Sequence, residues 1–145
     1  MTSIHDNGKE DRKYTLGCEE IHPILNLVGK DASSYPTQTS ESNWDAPINF
    51  VFANQAGYSG FMVGMKSYHS NSKEDRRFTF FYTKIDTTNW ELNNCAWNKM
   101  NNWDQKMDYK LTGDQVFGGI KSTHDNGRED REWHAYICDL VRKRK

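Results

Sequence analysis

Residues 5–12 read HDNGKEDR, residues 69–76 read HSNSKEDR and residues 124–131 read HDNGREDR. The shared pattern is H-x-N-x-x-E-D-R, with Lys or Arg always just before the Glu. Ser3, Ser67 and Ser122 stand two positions before the copies, and Tyr14, Phe78 and Trp133 follow each Arg by two. Such recurrence marks a chain built from like units. The repeat extends upstream in two copies. Asn43-Trp44-Asp45 matches Asn102-Trp103-Asp104, the alternating runs INFVF (48–52) and MDYKL (107–111) follow, and FMVGMKS (61–67) matches VFGGIKS (116–122). Trp precedes the motif His by 25 residues in one copy and by 21 in the other, which puts the length difference in the loop between the first two strands. The first copy lacks this upstream half; ILNLV (24–28) and Asn89-Trp90 are the segments available to replace it. The repeats run over about 1–28 (incomplete), 43–85 and 102–140, within a single domain spanning 1–145.

The periodicity is two. Ile48, Phe50 and Phe52 alternate with Asn49 and Val51; Phe78, Phe80 and Tyr82 share one face of 77–85; Trp133, Ala135 and Ile137 share one face of 132–140. Alternation over this length predicts strands, and no amphipathic helix of ten residues is legible. Asp6-Asn7-Gly8 and Asp125-Asn126-Gly127 predict tight turns, with Asn and Gly supplying positive φ. Each unit thus reads strand, loop, strand, exposed turn, strand. The fold class is all-β, with three repeats in a pseudo-threefold, trefoil-like or prism-like closed arrangement. Residues 31–42 read as a polar loop or linker, and 141–145 as a frayed basic tail.

The 145 residues carry 19 Lys+Arg and 20 Asp+Glu, a net charge of −1 that argues against a nucleic-acid partner. No apolar run approaches 18 residues, and no basic-then-apolar leader opens the chain, so neither membrane insertion nor a signal peptide is expected. Leu, Ile, Val and Phe make up only 25 residues, so the 19 aromatics must build much of the core. Cys18, Cys95 and Cys138 allow at most one internal disulfide in any of three pairings, and buried thiols are the favoured reading.

Two roles suit the motif. Asp11-Arg12, Asp75-Arg76 and Asp130-Arg131 read as structural, each Arg ion-paired or bonded to backbone carbonyls at the start of a strand. His5, Asn7, Glu10, His69, Asn71, Glu74, His124, Asn126 and Glu129 read either as turn chemistry or as three equivalent ligand-binding sites. Planar donors and acceptors beside an aromatic face suit a polyhydroxylated sugar. Three weak sites on a repetitive glycan gain avidity of as much as ~10²–10⁴. Metal binding is not expected, because the oxygen ligands lack the spacing of a calcium loop. Nor is a cofactor or a catalytic role: Glu10 and Asp11 are adjacent and would point to opposite faces of a strand, and no nucleophile elbow, phosphate loop or dinucleotide fingerprint occurs. The tail Arg142–Lys145 offers charge to sulfated glycans or acidic partners, or only solubility.

The repeated E-D-R-x-aromatic strand, the H-x-N turn and the upstream N-W-D strand resemble the dermatopontin family, whose repeated element is D-R-x-W-x-x-x-C. DRKYTLGC (11–18) keeps the Cys spacing but has Tyr for Trp; DRRFTFFY (75–82) loses both; DREWHAYIC (130–138) keeps Trp133 and places Cys138 one residue late. The resemblance implies a secreted, non-enzymatic binding protein. Family members include matrix proteins that bind proteoglycan and collagen-associated partners, and invertebrate agglutinins and lectin-like defence proteins. Few cysteines point to a lectin-like invertebrate or microbial branch. The expected function is therefore a multivalent lectin recognising cell-surface or matrix glycans, possible as a homo-oligomer. The alternative is an extracellular-matrix or adhesion scaffold binding proteoglycan or protein partners.

Overall fold

A computed structural model describes residues 1–6, 8–9, 11–18 and 36–144. The motif copies become hairpins: β1 (Thr2–Asp6) with β2 (Asp11–Thr15), β5 (Gly60–Ser70) with β6 (Asp75–Lys84), and β9 (Gln115–Asp125) with β10 (Asp130–Arg142). In each, the residue before the tip pairs with the motif Asp: Asp6 with Asp11, Ser70 with Asp75, Asp125 with Asp130. The remaining strands are β3 (Thr37–Gln38), β4 (Ile48–Val51), β7 (Trp90–Lys99) and β8 (Met107–Asp108). The described residues hold no helix, and the strands form three sheets rather than a closed barrel, in the orders β2-β1-β8, β4-β9-β10-β7 and β3-β6-β5.

The upstream strands pair in matching register. Ile48 of β4 lies opposite Ser122 of β9, and Met107 of β8 lies opposite Ser3 of β1. Each of these apolar residues follows its N-W-D tryptophan by four positions. Both longer hairpins also bulge at one place: Val63 and Gly118 are the extra residues where register shifts. A Cβ on Gly118 would sit 2.6 Å from Cys138 Sγ, so only glycine fits where these strands close up.

The core is aromatic where the three hairpins meet. Tyr14, Phe78 and Trp133 touch one another pairwise, edge to face, with centroids 5.5, 5.7 and 5.0 Å apart. Trp133 Nε1 donates to the Tyr14 hydroxyl at 3.0 Å, and burial pushes the Tyr14 pKa well up, so that hydroxyl stays protonated. Ile48, Met107 and Ile120 extend this cluster. A second cluster (Ala53, Phe61, Ile85, Leu92, Val116, Leu140) surrounds Cys138.

Several expectations need correction. Cys95 and Cys138 form a disulfide joining β7 to β10, and Cys18 is an exposed thiol, so the buried-thiol reading fails. Of the supposed linker 31–42, the described portion runs along β6. Thr39 N–H donates to Phe80 O and Ser42 N–H to Phe78 O, while Ser42 Oγ accepts from Phe78 N–H. The tail is held through Lys143, whose N–H donates to Asn89 O and whose Nζ donates to Thr87 O. Strand β7 was not foreseen; it carries Trp90 and Trp97, and Trp97 packs on Tyr136 under Lys121. ILNLV (24–28) lies outside the described residues.

Candidate functional site

The tip at 125–130 is not the Asn-Gly turn that the sequence suggests. In the two tips whose motif Glu is described, that Glu is the left-handed residue: φ is 51° at Glu74 and 47° at Glu129, while Gly127 is not in that region. The Asp before the tip caps the turn instead. Asp125 Oδ1 accepts from the N–H groups of Gly127 and Arg128, and Asp6 Oδ1 from Gly8 N–H. A non-glycine residue at positive φ costs energy and persists only where its surroundings require it. Here the reversal at Glu places the next two residues, Asp and Arg, at the head of a strand.

Those Asp and Arg side chains bond across the hairpins. Arg12 forks onto Asp130 at 2.8 and 2.7 Å, Arg131 onto Asp75 at 2.8 and 2.7 Å, and Arg76 onto Asp11 at 2.7 and 2.9 Å. The order is cyclic: first hairpin to third, third to second, second to first. Each fork is bidentate and charge-assisted, the geometry for which guanidinium is suited. Burial alone would raise the Asp75 carboxyl. Its bonds to Arg131, the Arg131 charge, and the N–H groups of Asp45 and Arg76 outweigh that and hold its pKa below 3.8. Asp130 is lowered in the same way, burial being outweighed by Arg12 and by the N–H groups of Asp104 and Arg131.

The N-W-D turns complete two corners of this cycle. Asp45 and Asp104 both adopt positive φ, at 55° and 58°. Asp45 N–H donates to Asp75 Oδ2, and Asp104 N–H donates to Asp130 Oδ2, each at 2.8 Å. The next carbonyls accept from the Arg side chains: Arg131 Nη1 donates to Ala46 O, and Arg12 Nη1 to Gln105 O.

The motif histidines face inward against this network. His5 Nε2 lies 4.0 Å from Asp130, His69 Nε2 4.0 Å from Asp11, and His124 Nε2 3.9 Å from Asp75. Each imidazole thus lies beside the carboxylate that the same hairpin's Arg grips. His5 Nε2 is also 3.3 Å from Glu129 O, and His124 Nδ1 is 2.9 Å from Asn126 Oδ1. Glu74 and Asn71 are exposed, Asn126 is exposed, and Glu129 is half-buried with Oε2 3.7 Å from His124 Nε2. A narrow recess between the hairpins brings together Glu74, Glu129 and His124. Asn7 and Glu10 lie outside the described residues.

Two triplets, His5–Asp104–Asp130 and Asp45–Asp75–His124, bring possible metal-ligating atoms within 4.8 Å of one another. In each, one carboxylate already accepts an Arg fork and a backbone N–H, so a cation would have to compete with a guanidinium.

The half-buried tryptophan of each N-W-D turn has charged neighbours. The Trp44 ring is 5.7 Å from the half-exposed Tyr68 ring and 5.7 Å from the Arg77 guanidinium. Arg77 Nη2 reaches Glu41 at 3.0 Å, and the Tyr68 hydroxyl donates to Glu41 at 3.1 Å. Trp103 stands 6.0 Å from the Arg128 guanidinium, which is 3.4 Å from Asp104. Sequence reasoning gave these two tryptophans no ligand role, although their recurrence in N-W-D was a signal available for it.

Relatives are similar to this chain over nearly its whole length. A hemagglutinin/amebocyte aggregation factor of Limulus polyphemus is 35% identical over 141 residues, covering 97% of this chain and 75% of the relative. Millepora cytotoxin-1 of Millepora dichotoma is 27% identical over 94% of this chain, which spans 55% of that relative's length. A dermatopontin of Biomphalaria glabrata is 27% identical over 95% of this chain and 84% of the relative. No solved structure matches the chain. The dermatopontin family model matches residues 1–142, and the chain belongs to the dermatopontin family.

Proposed function

We propose that this chain is a carbohydrate-binding protein, a multivalent lectin or agglutinin that engages cell-surface or matrix glycans without catalysis. The observation that carries the reading is that both N-W-D tryptophans stand beside an arginine and a carboxylate, drawn from different positions of their repeats: Trp44 with Arg77 and Glu41, and Trp103 with Arg128 and Asp104. A sugar ring packs its C–H face on an indole and spends its hydroxyls on neighbouring charged groups. Few convergent polar groups suffice for such a site. The exposed Asn71, Glu74 and Asn126 at the hairpin tips are further polar arms, while His5, His69 and His124 set the tips from beneath. The cyclic order of the Arg–Asp forks and the Tyr14–Phe78–Trp133 contact support a pseudo-threefold arrangement of three repeats within one domain. Similarity to a protein described as a hemagglutinin and aggregation factor supports agglutination, which requires at least two sites per particle. An extracellular setting agrees with the Cys95–Cys138 disulfide.

The test is a glycan array run beside a cell-agglutination assay on the wild type, Trp44→Ala, Trp103→Ala and the double variant. Each single variant should keep array signal while losing agglutination, and the double variant should lose both with its thermal midpoint preserved. Array signal that survives in the double variant would exclude these platforms. A second reading, an extracellular scaffold binding proteoglycan or protein, draws support from the similarity to a dermatopontin. A blank array combined with capture of a matrix proteoglycan would establish it.

A further inference from the structure

Three corners separate the three hairpins, and among the described residues only two are filled. The turn at Asn43–Asp45 fills the corner where Arg131 meets Asp75, and the turn at Asn102–Asp104 fills the one where Arg12 meets Asp130. At the corner where Arg76 meets Asp11, no described segment lends an N–H to the carboxylate or a carbonyl to the guanidinium; Arg76 Nη1 finds only Ser67 Oγ. The consequence is visible in exposure. The Arg76 side chain is 20% exposed against 3% for both Arg12 and Arg131, and His69 is 13% exposed against 2% for His5 and 1% for His124.

The same vacancy continues along the neighbouring sheet. β1 and β9 each carry, on the edge away from their hairpin partner, the strand that follows an N-W-D turn. β5 ends its sheet with that edge unpaired among the described residues. Ser3 and Ser122 are buried under their added strands, whereas the equivalent Ser67 is half-buried. Ile120 is buried, and its counterpart Met65 is half-buried; Val63 at the bulge is exposed. A groove of about 510 Å³ opens here, bordered by Lys13, Tyr14, Leu16, Met65, Ser67 and Arg76.

We propose that this groove is a docking site for an extended segment that carries an Asn-Trp-Asp turn followed by an apolar β-strand, and that it takes up such a segment supplied as a separate peptide. The two filled corners specify the occupant. Its turn would present an N–H to Asp11 and a carbonyl to Arg76. Its strand would pair antiparallel with β5, with an apolar side chain opposite Ser67 as Met107 lies opposite Ser3. Strand addition to an open edge takes its affinity from main-chain hydrogen bonds and its specificity from alternate side chains. The inference does not rest on the glycan reading, since neither Trp platform borders the groove.

The test adds a synthetic peptide of residues 102–111 (NWDQKMDYKL) to the full chain. It is followed by titration calorimetry and by hydrogen exchange resolved along β5. The expected result is saturable one-to-one binding with new protection at Met65–Ser67. The affinity should fall about tenfold or more when the peptide carries Met107→Lys, because a buried apolar contact is lost. The protein variant Met65→Lys should weaken binding similarly when measured well below its own melting midpoint, which is recorded alongside because Met65 also packs against the core. Absence of saturable binding, equal binding of a scrambled peptide, or protection confined to sites away from β5 would overturn the proposal.

Discussion

Removing a guanidinium from the cycle should cost different amounts at different corners. Arg131→Ala deletes the fork on Asp75, the bond to Ala46 O and the position 5.7 Å from the Phe78 ring. It leaves the Asp75 carboxylate, with a side chain only 3% exposed, holding backbone N–H donors but no countercharge. Stranding a buried charge in this way costs about 3–5 kcal/mol. For a chain of this length the loss converts to a melting-point drop of roughly 8–16 °C. Arg76→Ala strands Asp11 at the open corner, where water reaches the carboxylate more readily, and a loss of about 1–3 kcal/mol is expected. Urea denaturation followed by tryptophan fluorescence and far-UV circular dichroism measures both variants on one scale. Equal losses at the two positions, or a larger loss for Arg76→Ala, would refute the reasoning, because it derives the difference from the filled and unfilled corners.

Acid should weaken the fold in a defined direction. Asp75 and Asp130 have folded pKa values below 3.8, so on acidification the unfolded chain binds protons first. Their stabilising contribution is complete above the unfolded pKa and is lost as pH falls from about 4 through the folded values, which urea midpoints across pH 2–6 would register. A midpoint that stays level or rises as the pH falls from 6 to 2 would contradict the assigned pairing. Cys95→Ser, or reduction of the disulfide, should cost about 2–4 kcal/mol while leaving the Arg–Asp forks intact. An unchanged midpoint after confirmed reduction would show that the link contributes nothing beyond the surrounding packing.

Period-two alternation made the strands around Phe78, Trp133 and Ile48 legible, because one face of each packs into a shared core. β7 was hidden for a physical reason. Asn94 takes positive φ, and the register with β10 shifts between Ile137 and Asp139, so Leu92, Cys95 and Trp97 do not keep strict alternation. The turn composition misled in another way. Asp-Asn-Gly suggests a left-handed Asn or Gly, yet Asp caps the turn and Glu129 carries the positive φ. Adjacent Asp and Arg residues in one motif gave no indication of which hairpin each would reach. That choice depends on how three copies stand together, information that no single copy contains. The recurrence of N-W-D in only two copies was readable from the start, but its physical meaning, two filled corners beside one open one, required coordinates.

The claim on which the account rests is that each motif arginine holds the aspartate of a different copy, and a double-mutant cycle measures that directly. Arg131→Ala combined with Asp75→Ala should reveal a coupling energy of about 1–3 kcal/mol, while Arg131→Ala combined with Asp11→Ala should be additive within about 0.5 kcal/mol. Coupling of the opposite pattern, strong with Asp11 and absent with Asp75, would show that the copies are not joined in the order described.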